Sequence, residues 1–398
     1  MSGLVETKPA ILATPTIAAK PRTRLILASG FQPDYVREVA NAYALTGHKI
    51  QLIGGDMHAG TRYAKGVEFL NLRGRDAKDR RKTEEFKKLA RYYWRLLRHV
   101  GSSPSRVVYD VSIGRPFLRC VLMYSAFRML GKRIIYTAHN VVPHDAPTLF
   151  NRVIYFFIYR ALASAIVVHG QALKDRLISE FGVKAEKVHV VPHGTYHAPN
   201  DPAMTKAKAR FKLGLPADAP VALIFGFQRP YKGTHFVLEA LRETRIKGLI
   251  LVIRGKATDA PYRKRLESLI ERALDRYRIN AHFEPVPDDE VELLFKAADI
   301  VLLPYFEGSQ SGIKFMAYAY GRPVLASKIG SLAEFIQPSR TGEVFEPHDP
   351  VSFVQTLAYM FQNRHQYNEQ RIRDIAYSQY SFEAAVQQID AIYEHLTG

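Results

Sequence analysis

Short apolar segments of strand length alternate with amphipathic helical patterns along most of this chain. Segments that are apolar throughout, rather than at every second position, are typical of strands buried on both faces, as in parallel sheets covered by helices. The alternation therefore predicts an α/β protein with doubly wound sheets. The predicted strands are 24–29, 49–54, 106–110, 133–138, 165–169, 187–191, 221–226, 249–254, 299–303 and 323–326. Helices predicted between them include 34–45, 171–181, 233–243, 262–276 and 289–298.

A segment rich in proline and glycine, residues 192–215, interrupts this alternation near the middle of the chain. It predicts a boundary between two Rossmann-like domains. Ligands of such sheets bind beyond the carboxyl ends of the strands, so two facing domains form a cleft. We expect a disordered lead-in at 1–23, an N-terminal domain at 24–200, a C-terminal domain at 201–378, and a last helix within 379–398 that crosses back to the first domain.

The charge of the chain is concentrated in its first half. The formal net charge is +18; residues 1–200 contain 31 basic and 14 acidic side chains, whereas residues 201–398 contain 25 and 24. Such an excess indicates an anionic partner, which could be nucleic acid, anionic lipid or a phosphorylated substrate. The single cysteine, Cys120, excludes a disulfide framework and a multi-cysteine metal cluster.

The densest basic segment, residues 73–98, predicts an amphipathic helix in its second part. One helical face holds Phe86, Leu89, Tyr93, Leu96, Leu97 and Val100. Another face holds Lys87, Arg91, Trp94, Arg95 and Arg98. Basic and aromatic residues on one face are typical of a helix lying on an anionic membrane. A core-packed helix with a solvated basic face remains the alternative.

The sequence predicts only peripheral contact with a membrane. No stretch of about 20 apolar residues occurs, and no apolar core of a signal peptide is evident in residues 1–23. The nearest candidate, residues 149–168, is interrupted by Asn151, Arg152 and Arg160, and we expect it to be a helix that leads into a buried strand.

Two strand-to-helix junctions in the second half carry candidate phosphate-binding residues. The first runs from Gly226 to Gly233 and places Arg229 and Lys232 before a helix, where they could bind a phosphate or pyrophosphate; a solvated turn is the alternative. The second follows the strand at 299–303. Its Glu307 could accept hydrogen bonds from sugar hydroxyls. Its hydroxyls and backbone N–H groups could bind an anion over Ser309, Gln310, Ser311 and Gly312.

Two loops in the first half are candidates for the opposite side of the cleft. His139, Asn140 and His144 follow a predicted strand with Asp145, where hydrogen bonds to substrate hydroxyls are more natural than a metal site, and loop capping is the alternative. The turn after the first strand contains Gly30, Phe31 and Gln32. It lacks the GxGxxG pattern, so we do not expect a dinucleotide there.

These motifs together resemble those of GT-B-fold glycosyltransferases, and are similar to glycosyltransferase family 4. The resemblance covers about residues 24–396 and rests on the order of its motifs. The motifs are the His139-Asn140 loop, Val190-Val191-Pro192-His193-Gly194, Gly226 with Arg229-Pro230-Tyr231-Lys232-Gly233, Ser309-Gln310-Ser311-Gly312 leading to Gly321-Arg322-Pro323-Val324, and Gly330 to Glu334.

The resemblance implies a retaining enzyme that transfers a sugar from a nucleotide-sugar. Arg229 and Lys232 would hold the donor pyrophosphate, the Ser309–Gly312 turn would bind its phosphates, and His139 would contact the donor sugar. No cofactor or metal is expected, because two fixed cations stabilise the leaving group. The family's Glu-x7-Glu pattern falls on Gly308 and Met316, so this chain has neither glutamate at those positions, and Glu307 lies one residue away from the first. With no evident carboxylate nucleophile, a front-face substitution is the expected mechanism.

The split charge predicts where the partners bind. The neutral second half would bind the soluble donor, and the basic first half would bind a lipid-linked saccharide, as in polysaccharide or glycolipid synthesis, on an anionic membrane. We therefore expect a cytoplasmic protein, peripheral on the inner face of the plasma membrane, that does not bind nucleic acid. The alternatives are a nucleic-acid-binding protein that uses the same basic half, and a phosphorylase or epimerase of the same fold.

Overall fold

Two parallel β-sheets form the framework of the chain in a computed structural model that describes residues 22–28, 32–74, 82–112, 117–142, 148–198, 201–243, 246–308, 311–337 and 340–398. The first sheet has the order β3-β2-β1-β4-β5-β6-β7, and the second has the order β10-β9-β8-β11-β12-β13. The first sheet consists of β1 (Thr23–Ala28), β2 (Lys49–Gly54), β3 (Val67–Asn71), β4 (Val107–Ser112), β5 (Arg133–Thr137), β6 (Ala165–Val168) and β7 (Val188–Val190). The second consists of β8 (Val221–Phe225), β9 (Ile250–Arg254), β10 (Arg278–His282), β11 (Ile300–Leu303), β12 (Val324–Ser327) and β13 (Gly342–Phe345).

Helices connect the strands and cover both faces of each sheet, as the alternation predicts. In chain order they are α1 (Pro33–Leu45), α2 (Lys82–Ser102), α3 (Phe117–Met129), α4 (Leu149–Phe157), α5 (Gln171–Phe181), α6 (Lys206–Lys212), α7 (Thr234–Glu243), α8 (Ala260–Glu271), α9 (Asp288–Ala297), α10 (Gly312–Ala319), α11 (Pro350–Gln362), α12 (Glu369–Gln379) and α13 (Phe382–Thr397). On the first sheet, α2, α3, α4 and α5 share one core, and α1 and α13 share the core on the other face.

All ten predicted strands are present, but the sequence analysis missed β3, β10 and β13. These three are edge strands, and their residues are largely half-buried or exposed. An edge strand contacts a neighbour on one side only, so it does not need the continuous apolar run by which the central strands were found.

The last helix, α13, crosses back to the first sheet and packs on α1. Arg24 of β1 is 2% exposed and forms ion pairs with Asp390 at 2.8 Å and Glu394 at 2.7 Å. The Tyr393 hydroxyl donates to the carbonyl of Leu25 at 3.0 Å. The C-terminal end of the chain is therefore part of the first domain's core, while the residue limits predicted for the domains stay a prediction.

Two helical segments bear on the predicted membrane contacts. Helix α4 continues through a π-helical turn, Ile158–Leu162, into β6, which confirms the prediction for residues 149–168. In α2 the buried residues are Tyr92, Leu96 and Val100, whereas Phe86, on the predicted apolar face, is 74% exposed. The buried stripe of this helix begins only at Tyr92. Among the described helices, none is long and apolar enough to cross a bilayer.

Candidate active site in the cleft

The turn from Gly226 to Gly233 lies at the carboxyl end of β8, where the strand order of the second sheet reverses between β8 and β11. Gly233 has a positive φ of 71°, and a Cβ atom there would lie 1.9 Å from the carbonyl oxygen of Pro304. The N–H of Phe306 donates to the carbonyl of Tyr231 at 2.7 Å. The Pro230–Lys232 turn therefore packs directly on the segment that follows β11, and only glycine fits where the two meet.

Gln228 fixes the shape of this turn, although the sequence analysis did not select it. Its side chain is buried, donates to the carbonyl of Gly226 at 2.7 Å and accepts from the Thr234 hydroxyl at 2.7 Å. Its backbone N–H donates to the carbonyl of Lys256 at 3.0 Å. In the sequence, Gln228 lies between the candidate residues Gly226 and Arg229 and matches no recognisable pattern, so only the structure reveals this role.

Lys232 and Arg229 differ in their surroundings. The Lys232 ammonium is half-buried; it lies 5.5 Å from the ring centroid of Tyr305 and would be 3.3 Å from a Cβ at Gly226. Burial lowers the pKa of Lys232, and the charge of Arg229 acts in the same direction. Arg229 is exposed, with its guanidinium 6.0 Å from the ring of Phe227. The turn thus holds one partly desolvated cation and one cation at its rim.

The second phosphate-binding candidate begins helix α10. Ser311 is buried; its hydroxyl accepts from the N–H of Ile313 at 3.2 Å and lies 2.9 Å from the hydroxyl of Tyr305. Burial raises the pKa of Tyr305 to about 12, so this phenol stays neutral. Glu307 is exposed. Ser309 and Gln310 lie outside the described residues.

A cluster of neutral histidines lies at the carboxyl ends of β5, β6 and β7. The rings of His139 and His169 are 5.1 Å apart, those of His169 and His193 are 5.3 Å apart, and Tyr35 lies 4.9 Å from His139. Burial lowers the pKa of His139 to about 4 and that of His193 to about 3, and it also lowers the pKa of His169. The cluster can therefore donate or accept hydrogen bonds at neutral pH without carrying charge.

Backbone carbonyls orient these three rings. His139 Nε2 lies 2.9 Å from the carbonyl oxygen of Val111, His169 Nδ1 lies 2.9 Å from that of Val191, and His193 Nδ1 lies 2.8 Å from that of Gly194. Of these three histidines, only His139 was predicted from the sequence to have a chemical role. The shared position after consecutive strands is a signal that would have identified His169 as well.

The histidine cluster contacts the second domain at α10. The ring of His193 stacks on Phe315, with centroids 5.4 Å apart. A Cβ at Gly312 would lie 3.3 Å from the ring of Tyr196 and 3.8 Å from His193. The predicted residues His139, Lys232 and Gly312 therefore belong to one continuous region between the two sheets.

A second contact between the domains involves Glu334, from the segment after β12. Its carboxylate accepts from the backbone N–H groups of Gln171 at 2.7 Å and Ala172 at 2.9 Å, at the start of α5. A Cβ at Gly170 would lie 2.2 Å from the side chain of Ser331. Lys314 supports this segment, because its buried ammonium donates to the carbonyls of Leu332 at 2.9 Å and Glu334 at 2.7 Å.

The remaining cleft candidates are only partly described. Gln32 precedes α1, and its Oε1 atom is buried with no hydrogen-bond partner within the described ranges. The carbonyl of Asn140 accepts from the Tyr159 hydroxyl at 3.3 Å. Gly30, Phe31 and His144 lie outside the described residues.

The predicted membrane residues Lys87, Arg91, Trp94, Arg95 and Arg98 are all exposed on α2. The Arg98 guanidinium lies 5.5 Å from the ring of Trp94. Between the end of β3 and α2 is a hollow of about 440 Å³. Its lining includes Arg73, Lys87, Lys88, Arg91, Arg95 and Glu84. The hollow is therefore strongly cationic. The part of the chain that the structure describes contains no group of three or more histidine, cysteine or carboxylate side chains placed to hold a metal ion.

Two family models match consecutive parts of the chain. The model described as Glycosyltransferase Family 4 matches residues 33–198, and the model described as Glycosyl transferases group 1 matches residues 205–378. A curated relative, the D-inositol 3-phosphate glycosyltransferase of Xylanimonas cellulosilytica, is 29% identical over 239 residues, which cover 56% of this chain and 57% of the relative. The chain thus spans little more than half the length of this relative.

Solved structures share the two-domain fold over nearly the whole chain. The sucrose-phosphate synthase of Thermosynechococcus elongatus superimposes with a TM-score of 0.73 and 18% identity, covering 94% of this chain and 99% of that one. Anabaena HepE in complex with UDP-glucose superimposes with a TM-score of 0.71 and 18% identity, covering 94% and 100%. At this level of identity the similarity concerns the fold alone.

Proposed function

The chain belongs to the GT-B-fold glycosyltransferases, and we propose that it transfers a sugar from a nucleotide-sugar to a saccharide acceptor. The observation that carries the donor part is the position of Lys232. Its ammonium lies beside the backbone of Gly226 at the carboxyl end of β8, and Tyr305, near this ammonium, is hydrogen-bonded to Ser311 at the start of α10. A cation next to a helix start is suited to a diphosphate.

The proposed chemistry is a front-face substitution with retention. The bond between the anomeric carbon and the donor phosphate breaks, and the phosphate leaves with the electron pair. The acceptor oxygen bonds to the same face of the carbon, and its proton passes to the leaving phosphate. Lys232 and Arg229 stabilise the charge that develops on the diphosphate, so we propose that no divalent metal or other cofactor is required. Addition of EDTA should leave the rate unchanged.

His139 is proposed to contact the donor sugar from the first domain. A low pKa keeps its imidazole neutral, so it can form a hydrogen bond to a sugar hydroxyl without adding positive charge beside the anomeric carbon. Gln32 and Asn140 are proposed to contact the acceptor from neighbouring loops. The Oε1 atom of Gln32 supports this role, since it is a buried acceptor with no partner within the described ranges.

The proposed acceptor is a lipid-linked saccharide at the inner face of the plasma membrane. The charge of the first half and the cationic hollow beside α2 support this proposal. Each lysine or arginine near an anionic surface contributes about 1 kcal/mol to binding. A role in polysaccharide or glycolipid synthesis follows from such an acceptor.

A thermal-shift screen of nucleotides and nucleotide-sugars, with UDP-glucose included, tests the donor site, because a ligand that binds the folded state raises the melting temperature. We expect Lys232→Ala to lose both the shift and sugar transfer while vesicle binding persists. Transfer at a rate close to that of the wild type would refute the diphosphate role of Lys232.

Vesicle flotation tests the membrane part separately. Replacing Lys87, Arg91, Arg95 and Arg98 with glutamine should weaken binding to anionic vesicles and leave donor hydrolysis unchanged. Equal flotation of the wild type with neutral and anionic vesicles would contradict the electrostatic argument. Unchanged flotation of the variant would make the basic face of α2 a solvated surface only.

A further inference from the structure

Helices α3 and α4 expose large apolar side chains on the outer surface of the first domain. On α3, Leu122 is 66% and Met129 83% exposed, and on α4, Leu149 is 81% and Phe150 64% exposed. The exposed apolar side chains of both helices, which we call the α3–α4 apolar surface, are Leu118, Leu122, Met129, Leu149, Phe150, Val153, Phe156 and Phe157. Isolated exposed apolar residues are common, but a contiguous group marks an interaction site.

Helical geometry places these side chains on one side of each helix. Leu118, Leu122 and Met129 lie within about 40° of one another when each residue turns by about 100°. The opposite side of α3 packs in the core through Phe117, Met123 and Phe127. Helix α3 is therefore apolar on both sides, a composition that is normal only for a helix whose outer side is also covered.

The two helices lie side by side in one layer with the basic helix α2. Contacts join α2 to α3 and α3 to α4, and all three pack on the same core of the first sheet. The α3–α4 apolar surface and the cations of α2 are therefore neighbouring parts of one outer surface.

The charges that α3 and α4 themselves carry are positive, although Arg152 is paired with Glu180 of α5 at 3.3 Å. Neither α3 nor α4 contains an acidic residue, and the exposed charged residues on these two helices are Arg119, Arg128 and Arg152. Just after α4, the guanidinium of Arg160 lies 4.9 Å from the ring centroid of Phe156. Two copies of this surface packed face to face would bring like charges together, whereas an anionic bilayer would take both the apolar side chains and the surrounding arginines.

We propose that the α3–α4 apolar surface inserts into the interfacial region of an anionic bilayer while the basic face of α2 lies on the headgroups. This inference deepens the proposed function and rests on its membrane part. Insertion of side chains to a depth of about 5–10 Å would orient the first domain on the membrane.

Tryptophan fluorescence tests the insertion directly, since Trp94 is the only tryptophan of the chain. A Phe150→Trp substitution in a Trp94→Phe background places the probe on α4, and Phe211→Trp in the same background is the matched control, because Phe211 is 85% exposed on α6 of the second domain. With vesicles of phosphatidylcholine and phosphatidylglycerol brominated in the acyl chains, we expect quenching of the probe at position 150 and none at 211.

Serine substitutions test whether insertion contributes to binding. The triple variant Leu122→Ser, Phe150→Ser and Phe157→Ser keeps the charge, and we expect its binding to these vesicles to fall about tenfold or more. Phe211→Ser should bind as the wild type does. At about 1 M salt, where screening acts within about 3 Å, the wild type should retain binding that the triple variant has lost. An unchanged melting temperature and UDP-induced shift would show that the triple variant is folded.

The outcomes separate this inference from the proposed function. The insertion is overturned if the wild type floats with the vesicles while the probe at position 150 is not quenched and the triple variant binds as the wild type does. That result would leave the proposed role of α2 intact. If the wild type forms a dimer that the triple variant does not form, and the probe at position 150 is not quenched, the α3–α4 apolar surface would be assigned to contact with a second copy. That result would also overturn the insertion. Absence of a thermal shift of the wild type with every nucleotide and nucleotide-sugar of the screen would instead refute the donor site, independently of the vesicle result.

Discussion

The contact between Gly233 and Pro304 allows a prediction that separates backbone strain from steric contact. A Cβ at position 233 would lie 1.9 Å from the carbonyl oxygen of Pro304, far inside the 3.4 Å at which ordinary contacts begin. Gly214, after α6, has a similar φ of 63° against 71° for Gly233, and a Cβ there would have nothing within 4 Å. Gly214→Ala is therefore a matched control for Gly233→Ala.

The expected magnitudes follow from these two environments. An alanine with left-handed backbone conformation costs about 1 kcal/mol, which is the whole effect expected for Gly214→Ala. Gly233→Ala adds overpacking against a backbone carbonyl, which costs about 1–3 kcal/mol more. We therefore expect Gly233→Ala to lower the free energy of unfolding by about 2–4 kcal/mol.

The same substitution should also affect the donor site. Relief of the contact moves the Pro230–Lys232 turn away from the segment after β11, and with it the Lys232 ammonium. Calorimetry with UDP should show binding weakened about tenfold or more in Gly233→Ala, equivalent to about 1.4 kcal/mol, and unchanged in Gly214→Ala. Equal loss of stability in the two variants, with equal UDP affinity, would refute this reasoning.

Three further predictions concern other parts of the fold. In denaturant titrations, Asp390→Asn should lower the free energy of unfolding by about 2 kcal/mol, because it removes a charged partner of the buried Arg24. The control Glu346→Gln, in the exposed ion pair with Lys328, should change this free energy by less than about 1 kcal/mol. Because the pKa values of His139 and His193 are lowered in the folded state, the unfolded chain binds more protons than the folded chain below about pH 6.5. The free energy of unfolding should therefore fall as the pH drops from 6.5 towards 4, by about 1.4 kcal/mol per pH unit for each buried histidine. In urea titrations between pH 7 and pH 5, His193→Gln should show a shallower pH dependence of this free energy, and a slope identical to that of the wild type would contradict the assignment. Tyr305→Phe should cost about 1 kcal/mol by removing the hydrogen bond to Ser311, and thermal unfolding with and without UDP would reveal a larger effect if the phenol also contacts the donor.

The sequence predicts the central architecture because buried parallel strands need continuous apolar runs. Edge strands such as Arg278–His282 escape that rule because they pair with a strand on one side only, and the residues of this strand are half-buried or exposed. The candidate site could be located for the same reason, since strand ends are visible in the sequence. The contacts that join distant segments could not be predicted: nothing near Gln171 indicates that Glu334, 163 residues away, binds its N–H group.

The residues proposed to contact a membrane were predicted from the sequence only where charge made them visible. Arg91 and Trp94 were found because a basic and aromatic stripe stands out in a polar helix. Leu122 and Phe150 were not selected, since an apolar side chain gives no indication in the sequence of which side of a helix the core lies on. Burial in the folded chain is the only information that distinguishes an inward apolar face from an outward one.

The carboxylate of Glu334 ties the start of α5 to the other domain, and this has a consequence for how domain motion can be observed. Separating the domains would leave the N–H groups of Gln171 and Ala172 without their acceptor and would remove a negative charge from the positive end of the helix dipole. Amide hydrogen exchange at these two positions therefore measures the opening of the cleft. Any ligand that holds the two domains together should slow the exchange of both amides by the same factor.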